Sequence, residues 1–286
     1  MPVSIVTDSV ASIPADLLAA NDIEVVSLFI NDGESNQAEL GMDVDAFYRR
    51  LEDMKTLPTS SQPSVESILS AFREGLERGH DVLGIFISQD MSGTCQTARM
   101  AADMLAEEFP DGRIEVLDSR SNSMEEGYGV LAAAFAAKMG GSIETCIAAA
   151  SETLRRTRYL FTPHTLEYLR RGGRIGGASA LIGGLLQIRP ILTVEDGETQ
   201  TFARVRTQSR ALAEMTRKFA DDTKAFGLAD VCVHYISDAE TAGVYAREQI
   251  EPLAGGAVRV IPVSPVIGLH VGPAVAIVYS TERDWV

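Results

Sequence analysis

The 286-residue chain carries 40 acidic against 25 basic residues, a formal charge of −15, with 45% apolar and 23% charged residues. Those fractions are ordinary for a globular protein long enough for two domains or one large one, and they exclude a disordered class. The acidic field repels phosphate backbones and anionic leaflets, so nucleic-acid binding is not expected and an anionic ligand needs a local pocket of donors.

Along the chain, β-branched runs alternate with amphipathic helices. Residues 3–7 read as a strand, Ile13-Pro14 opens a helix around 16–20, and a strand returns over 23–30. Asp43 caps a helix whose Phe47, Tyr48 and Leu51 share one spacing, and Ser64 caps another with Ile68, Leu69, Phe72 and Leu76 on one face. A buried strand over 82–87, a helix over 94–109, a strand over 114–117 and helices over 124–139 and 142–156 complete this half. The rhythm predicts an α/β fold with a largely parallel sheet flanked by helices.

Beyond about residue 161 the spacing loosens. A helix over 166–171 enters the glycine-rich stretch 172–177, and a buried helix is expected over 180–187. Strands over 190–194 and 200–205 flank Asp196-Gly197, a hairpin signal. Helix 209–220, strand 231–236, helix 239–250 and strands 258–262 and 275–279 form a second α/β unit. Two domains are therefore expected, 1–160 and 161–286.

Cys95, Cys146 and Cys232 are widely spaced without C-x-x-C, and His80, His164, His234 and His270 form no H-E-x-x-H. No disulfide framework, metal or other cofactor is expected. The first apolar run stops at Thr7-Asp8-Ser9, unlike a signal peptide. The longest apolar stretch, 178–188, falls short of the roughly 18 residues a spanning helix needs. The expectation is a cytoplasmic protein without stable membrane insertion.

Several motifs carry chemistry. Residues 88–94, with Ser92, Gly93 and Thr94, join a parallel strand's carboxyl end to a helix, where doubly wound folds bind ligands. Simple helix capping is the competing reading. Residues 59–64 gather hydroxyls, of which Ser60 and Ser61 have no helical task, although such clusters are also ordinary turn material. Asp8 ends the first strand and reads as a turn residue. The stretch 172–174 lacks a phosphate-loop pattern, and Arg170, Arg171 and Arg174 make a basic spot on an acidic protein. His270 lies between Gly268 and Gly272 near a strand, in a backbone shaped around something.

Taken together and in order, IVTDS (5–9), TSSQPS (59–64), SGT (92–94), LDSRS (117–121), TLEYLRRGGRI (165–175), IRPIL (188–192) and IGLHVGP (267–273) resemble the DegV family over about residues 3–280. The resemblance implies a lipid-binding protein, not an enzyme, with one long-chain fatty acid held at the domain interface. Its partner would be a separate fatty acid kinase subunit that makes an acyl phosphate for phospholipid synthesis. Carried over by motif, Ser60 and Ser92 would donate to the carboxylate, with Ser61, Gly93 and Thr94 beside them and His270 from the second domain. Arg170, Arg174, Arg204 and Arg206 would serve kinase docking. Four positions depart from the family pattern: Ser60 for threonine, Cys95 for tyrosine, His164 for an acidic residue and Ala274 for glycine.

The chief rival is a hydrolase or acyltransferase with Ser92 as nucleophile and His270 as base, against which stand the absent G-x-S-x-G and the lack of an identifiable orienting acid. A nucleotide-binding or kinase role has no phosphate-loop signature to carry it.

Overall fold

Two periods, one of two residues and one of 3.6, shape the molecule. The computed structural model describes residues 1–54, 56–182 and 188–285. The chain divides into two compact units, Met1–Met42 with Ser60–Leu154, and Asp43–Thr59 with Arg155–Val286.

The first seven strands are β1 (Val3–Asp8), β2 (Ile23–Val26), β3 (Phe29–Asn31), β4 (Asn36–Ala38), β5 (Thr59–Ser61), β6 (Asp81–Phe86) and β7 (Ile114–Asp118). Four of them form a parallel sheet in the order β2-β1-β6-β7. Alternation sorts its two faces. Val6, Val26, Val82 and Phe86 pack with Ile68, Phe72 and Leu76 of the helix Val65–Glu77 and with Ala98 and Leu105 of the helix Thr94–Ala106. Burying each large apolar side chain contributes about 1.5–3 kcal/mol. On the other face, the Thr7 hydroxyl donates to Glu126 of the helix Ser123–Lys138 at 3.3 Å. A small second sheet has the order β4-β3-β5.

In the second unit, β8 (Thr157–Pro163), β9 (Arg189–Glu195), β10 (Glu198–Val205), β11 (Asp230–Ile236), β12 (Arg259–Pro262) and β13 (Ala274–Ser280) form one sheet in the order β10-β9-β8-β13-β11-β12. Among the described residues, β11 and β12 run parallel and the other neighbouring strands antiparallel. Leu160, Ile191, Val233, Val275 and Ile277 meet Met215 and Phe219 of the helix Gln208–Phe226 in its core. The β9–β10 hairpin turns on Asp196 (φ 52°) and Gly197 (φ 85°), the left-handed pair whose twist matches the strands.

Some expectations need correction. The strand expected over 23–30 is two strands in different sheets, because Leu28 N–H donates to the Ser9 hydroxyl at 2.9 Å instead of continuing the ladder. The hydroxyl-rich run at 59–61 is strand β5, not turn. The helix expected over 239–250 ends at Tyr245 and widens to π-helical hydrogen bonding over Ala246–Ile250. Pro252 has no N–H to offer the carbonyl four residues back, and the helix accommodates it there. His270 lies on a helix, Pro265–Val271, where the glycines alone suggested irregular backbone. Of the helix expected over 180–187, only the 3₁₀ turn Gly176–Leu181 is seen, and residues 183–187 lie outside the described residues. Beside the expected domains 1–160 and 161–286, the two units change between Leu154 and Arg155, and the segment 43–59 also lies with the second unit. That segment joins the second unit because the Tyr48 hydroxyl, on the helix Val44–Asp53, donates to the Val263 carbonyl at 2.5 Å.

Candidate functional site

The first unit's sequence-predicted residues gather near one end of its parallel sheet. Strand β6 runs out at Phe86, and the following loop is tied down by its neighbours at the sheet's carboxyl edge. Ile87 N–H donates to Asp8 Oδ2 at 2.9 Å, Ser88 N–H to the Ser121 carbonyl at 2.8 Å and Gln89 N–H to Asp118 Oδ1 at 3.2 Å. Asp8 therefore does more than close its own turn, which it also does by accepting from Val10 N–H at 3.0 Å.

The tied loop presents Ser92. Its hydroxyl is hydrogen-bonded to the Thr94 hydroxyl at 2.9 Å, and Thr94 N–H donates back to it at 3.3 Å. Ser92 is half-buried and Thr94 fully buried, at the start of a 13-residue helix. Gln62 joins this loop to the hydroxyl-rich strand. Its Nε2 donates to Thr97 Oγ1 at 2.5 Å, and its side-chain oxygen occupies the space a Cβ would need at Gly93. Gln62 thus lies against Gly93. Ser60, two residues before Gln62, is half-buried, whereas Ser61 points to the opposite face of β5 and is exposed.

Sequence reasoning missed Gln62. Its signal was position: an amide between a hydroxyl run and the Pro63-Ser64 helix start, where neither strand nor cap calls for one. Cys95 is a core residue, its thiol donating to the Ile87 carbonyl at 3.5 Å and its ionisation suppressed chiefly by burial.

The second unit contributes His270, in the last turn of the helix Pro265–Val271. Ser264 caps that helix by accepting from Ile267 N–H at 3.3 Å, Pro265 supplies its first turn, and Gly272 ends it at φ 70°. The Tyr48 ring lies over Gly268, where a Cβ would stand 2.7 Å from the phenol oxygen. Burial, followed by the nearby positive charge of Arg174, pushes the His270 imidazole down to about 4. The ring is neutral at physiological pH and keeps one N–H to donate.

Of the predicted docking residues, Arg170 is clasped by Glu167 at 2.7 and 2.9 Å, and Arg171 shares the same carboxylate at 2.6 Å. These hydrogen bonds hold Glu167 down to about 2 and dilute the basic spot expected there. Arg174 donates to the Gly172 carbonyl at 2.7 Å, while Arg204 and Arg206 are exposed at the end of β10. A cavity of about 320 Å³ lies beside the helix Glu167–Arg171, walled by Leu166, Leu181, Ile182, Ile188 and Pro190 with His164, Thr165, Glu167 and Arg170 at polar positions. That volume is at the small end for ligand sites. Among the described residues, no group of three or more His, Cys, Asp or Glu side chains could hold a metal ion, and no helix is long and apolar enough to cross a membrane.

A parallel α/β unit with a hydroxyl-bearing loop at its sheet edge, joined to a mainly antiparallel unit with a neutral, half-buried histidine, defines the class of protein. The chain belongs to the DegV family: the family model described as "Uncharacterised protein, DegV family" matches residues 2–282. A DegV domain-containing protein of Clostridium acetobutylicum is 43% identical over 290 residues, covering 99% of each chain. Among solved structures, a DegV family protein from Thermus thermophilus, described by its fatty acid binding, superimposes with a TM-score of 0.88 at 31% identity, covering 98% of this chain and 100% of that one. DegV from Bacillus subtilis, described as a fatty acid binding protein, gives 0.87 at 28% identity over 99% of this chain and 100% of that one. A stearic acid-binding protein from Eubacterium ventriosum gives 0.86 at 26% identity over 97% and 98%.

Proposed function

We propose that this protein binds one long-chain fatty acid, holds its carboxylate with the hydroxyls of Ser60 and Ser92 and the neutral imidazole of His270, and presents it to a separate fatty acid kinase in the cytoplasm. The chain performs no chemistry itself in this reading. Arg170, Arg174, Arg204 and Arg206 serve the kinase contact.

The observation that carries the reading is the uncharged donor set in the first unit: Gln62 locks the Ser60 strand to the loop on which Ser92 and Thr94 pair. It stands in a chain similar throughout to proteins described as binding fatty acids. The physics agrees. Each buried methylene contributes about 0.8 kcal/mol, so a long tail supplies on the order of 10 kcal/mol before entropic costs. A bare carboxylate could not follow it out of water, and hydrogen bonds to a charged group contribute about 1.5–3 kcal/mol each. Neutral donors hold the anion while leaving an oxygen open to phosphoryl transfer.

The test is solvent extraction of the purified protein followed by mass spectrometry. A long-chain fatty acid is expected in roughly stoichiometric amount; protein that neither carries nor takes up any fatty acid defeats the proposal. Ser92→Ala is expected to weaken binding about tenfold or more without unfolding the chain. Unchanged affinity would remove Ser92 from the head-group contacts.

A further inference from the structure

The two adjacent glycines of the Arg-Arg-Gly-Gly stretch are glycines for different reasons. Gly173 has φ 70°, a left-handed conformation, and a Cβ there would meet nothing within 4 Å. Its need is conformational. Gly172 has φ −74° and ψ −9°, ordinary right-handed backbone open to any residue. At such a position alanine normally stabilises, by restricting the unfolded chain. Backbone geometry gives no reason for a glycine at 172.

Packing gives one. A Cβ on Gly172 would overlap Nδ1 of His270 and stand 3.2 Å from its Cε1. The contact is reciprocal, because the Tyr168 ring on the helix Glu167–Arg171 occupies the space a Cβ would need at Gly272, with Cε2 at 2.7 Å. Each of these helices lays a ring over the glycine that ends the other. The His270 helix has little freedom to retreat, since Tyr48 holds its start by donating to the carbonyls of Val263 at 2.5 Å and Ser264 at 3.2 Å.

We infer that Gly172 is a positioning residue for His270: the missing side chain at the end of the helix Glu167–Arg171 sets where the imidazole stands. The functional consequence rests on the fatty-acid reading, whereas the structural one does not. A methyl group at 172 displaces the ring from the place where it would meet a carboxylate, although Gly172 itself touches no ligand.

The experiment is a double-mutant cycle in the full-length, delipidated protein, with thermal midpoint, the His270 Cε1–Hε1 NMR signal and affinity for a fluorescent fatty acid as readouts. Gly172→Ala is expected to lower the midpoint, shift the His270 signal and weaken binding about tenfold or more. In a His270→Ala background the same substitution is expected to leave affinity unchanged and to raise the midpoint slightly, as alanine does at ordinary right-handed backbone. Gly173→Ala, the control, is expected to lower the midpoint equally in both backgrounds. An equal Gly172→Ala loss with and without His270, or an unmoved His270 signal, overturns the inference. Should Gly172→Ala alone fail to fold, recovery of folded protein in Gly172→Ala/His270→Ala is expected, and failure of that pair to fold overturns it too. If the wild type binds no fatty acid, the function proposal fails, and the midpoint cycle and NMR signal still decide the positioning role.

Discussion

Glu126 is completely buried in the first turn of the helix Ser123–Lys138, with one carboxyl oxygen accepting from the Thr7 hydroxyl. Burial, reinforced by the neighbouring Asp8, raises its pKa well above the carboxylate range, and burial likewise raises Asp8 to about 7 against its backbone hydrogen bonds. Both folded values exceed the unfolded ones. Their contribution to stability is therefore complete below the unfolded values near 4 and is lost as pH rises through the folded ones, by ~1.4 kcal/mol per pH unit for each group that has yet to ionise in the folded state. Glu126→Gln keeps an acceptor for Thr7 and removes one such group. Its thermal midpoint relative to wild type is expected to improve steadily from pH 5 to pH 8; a difference that does not change with pH would refute this. His234 and His270 have the opposite sense, both pushed down to about 4 chiefly by burial, so they erode stability as pH falls below about 6.5 toward 4. Their ring NMR signals are expected to stay unprotonated down to pH 5, and a midpoint near 6.5 for either would contradict its burial.

At the scale of elements, local signals worked where hydrogen bonding is local. The caps at Asp43 and Ser64 accept from Ala46 N–H at 2.9 Å and Ser67 N–H at 3.1 Å, and both helices begin where those residues predict. The Asp196-Gly197 turn joins the strands it announces. The helix Pro265–Val271 was missed although Ser264-Pro265 is a cap followed by a favoured first residue, because Gly268 and Gly272 outweigh that signal in a sequence. Gly268 is there to admit the Tyr48 ring, a contact spanning more than 200 residues that no local pattern encodes. Ser264→Ala is expected to cost about 1 kcal/mol of stability by exposing the lost cap, measured by chemical denaturation. No measurable change would show that Pro265 alone starts the helix.

At the scale of the molecule, Asp222 ties the second unit together. It accepts from the Tyr279 hydroxyl at 2.7 Å, Arg158 Nε at 3.1 Å and Lys218 Nζ at 2.7 Å, and Arg158 in turn lies 4.8 Å over the Trp285 ring. Asp222→Ala would leave two partly buried cations without their anion, a loss of about 3 kcal/mol. The helix Val44–Asp53 is expected to lose hydrogen-exchange protection together with β8 and β13 in that variant, while β1 and β6 keep theirs. Exchange of that helix in step with β1 and β6 would contradict its membership of the second unit.

The sequence by itself determined the family, the parallel βαβ rhythm of the first half, the helix caps, the β9–β10 hairpin and the hydroxyl motifs around Ser60 and Ser92. All of these are read from neighbours a few residues apart, at periods imposed by backbone hydrogen bonding. Only the tertiary structure decided that Gln62 locks Ser60's strand to Ser92's loop, that Val44–Asp53 belongs with the second unit, and that the His270 ring stands over Gly172. Those contacts join residues from tens to hundreds of positions apart. Their energy comes from steric fit and burial, which depend on where the packed elements bring side chains and leave no periodic trace along the chain.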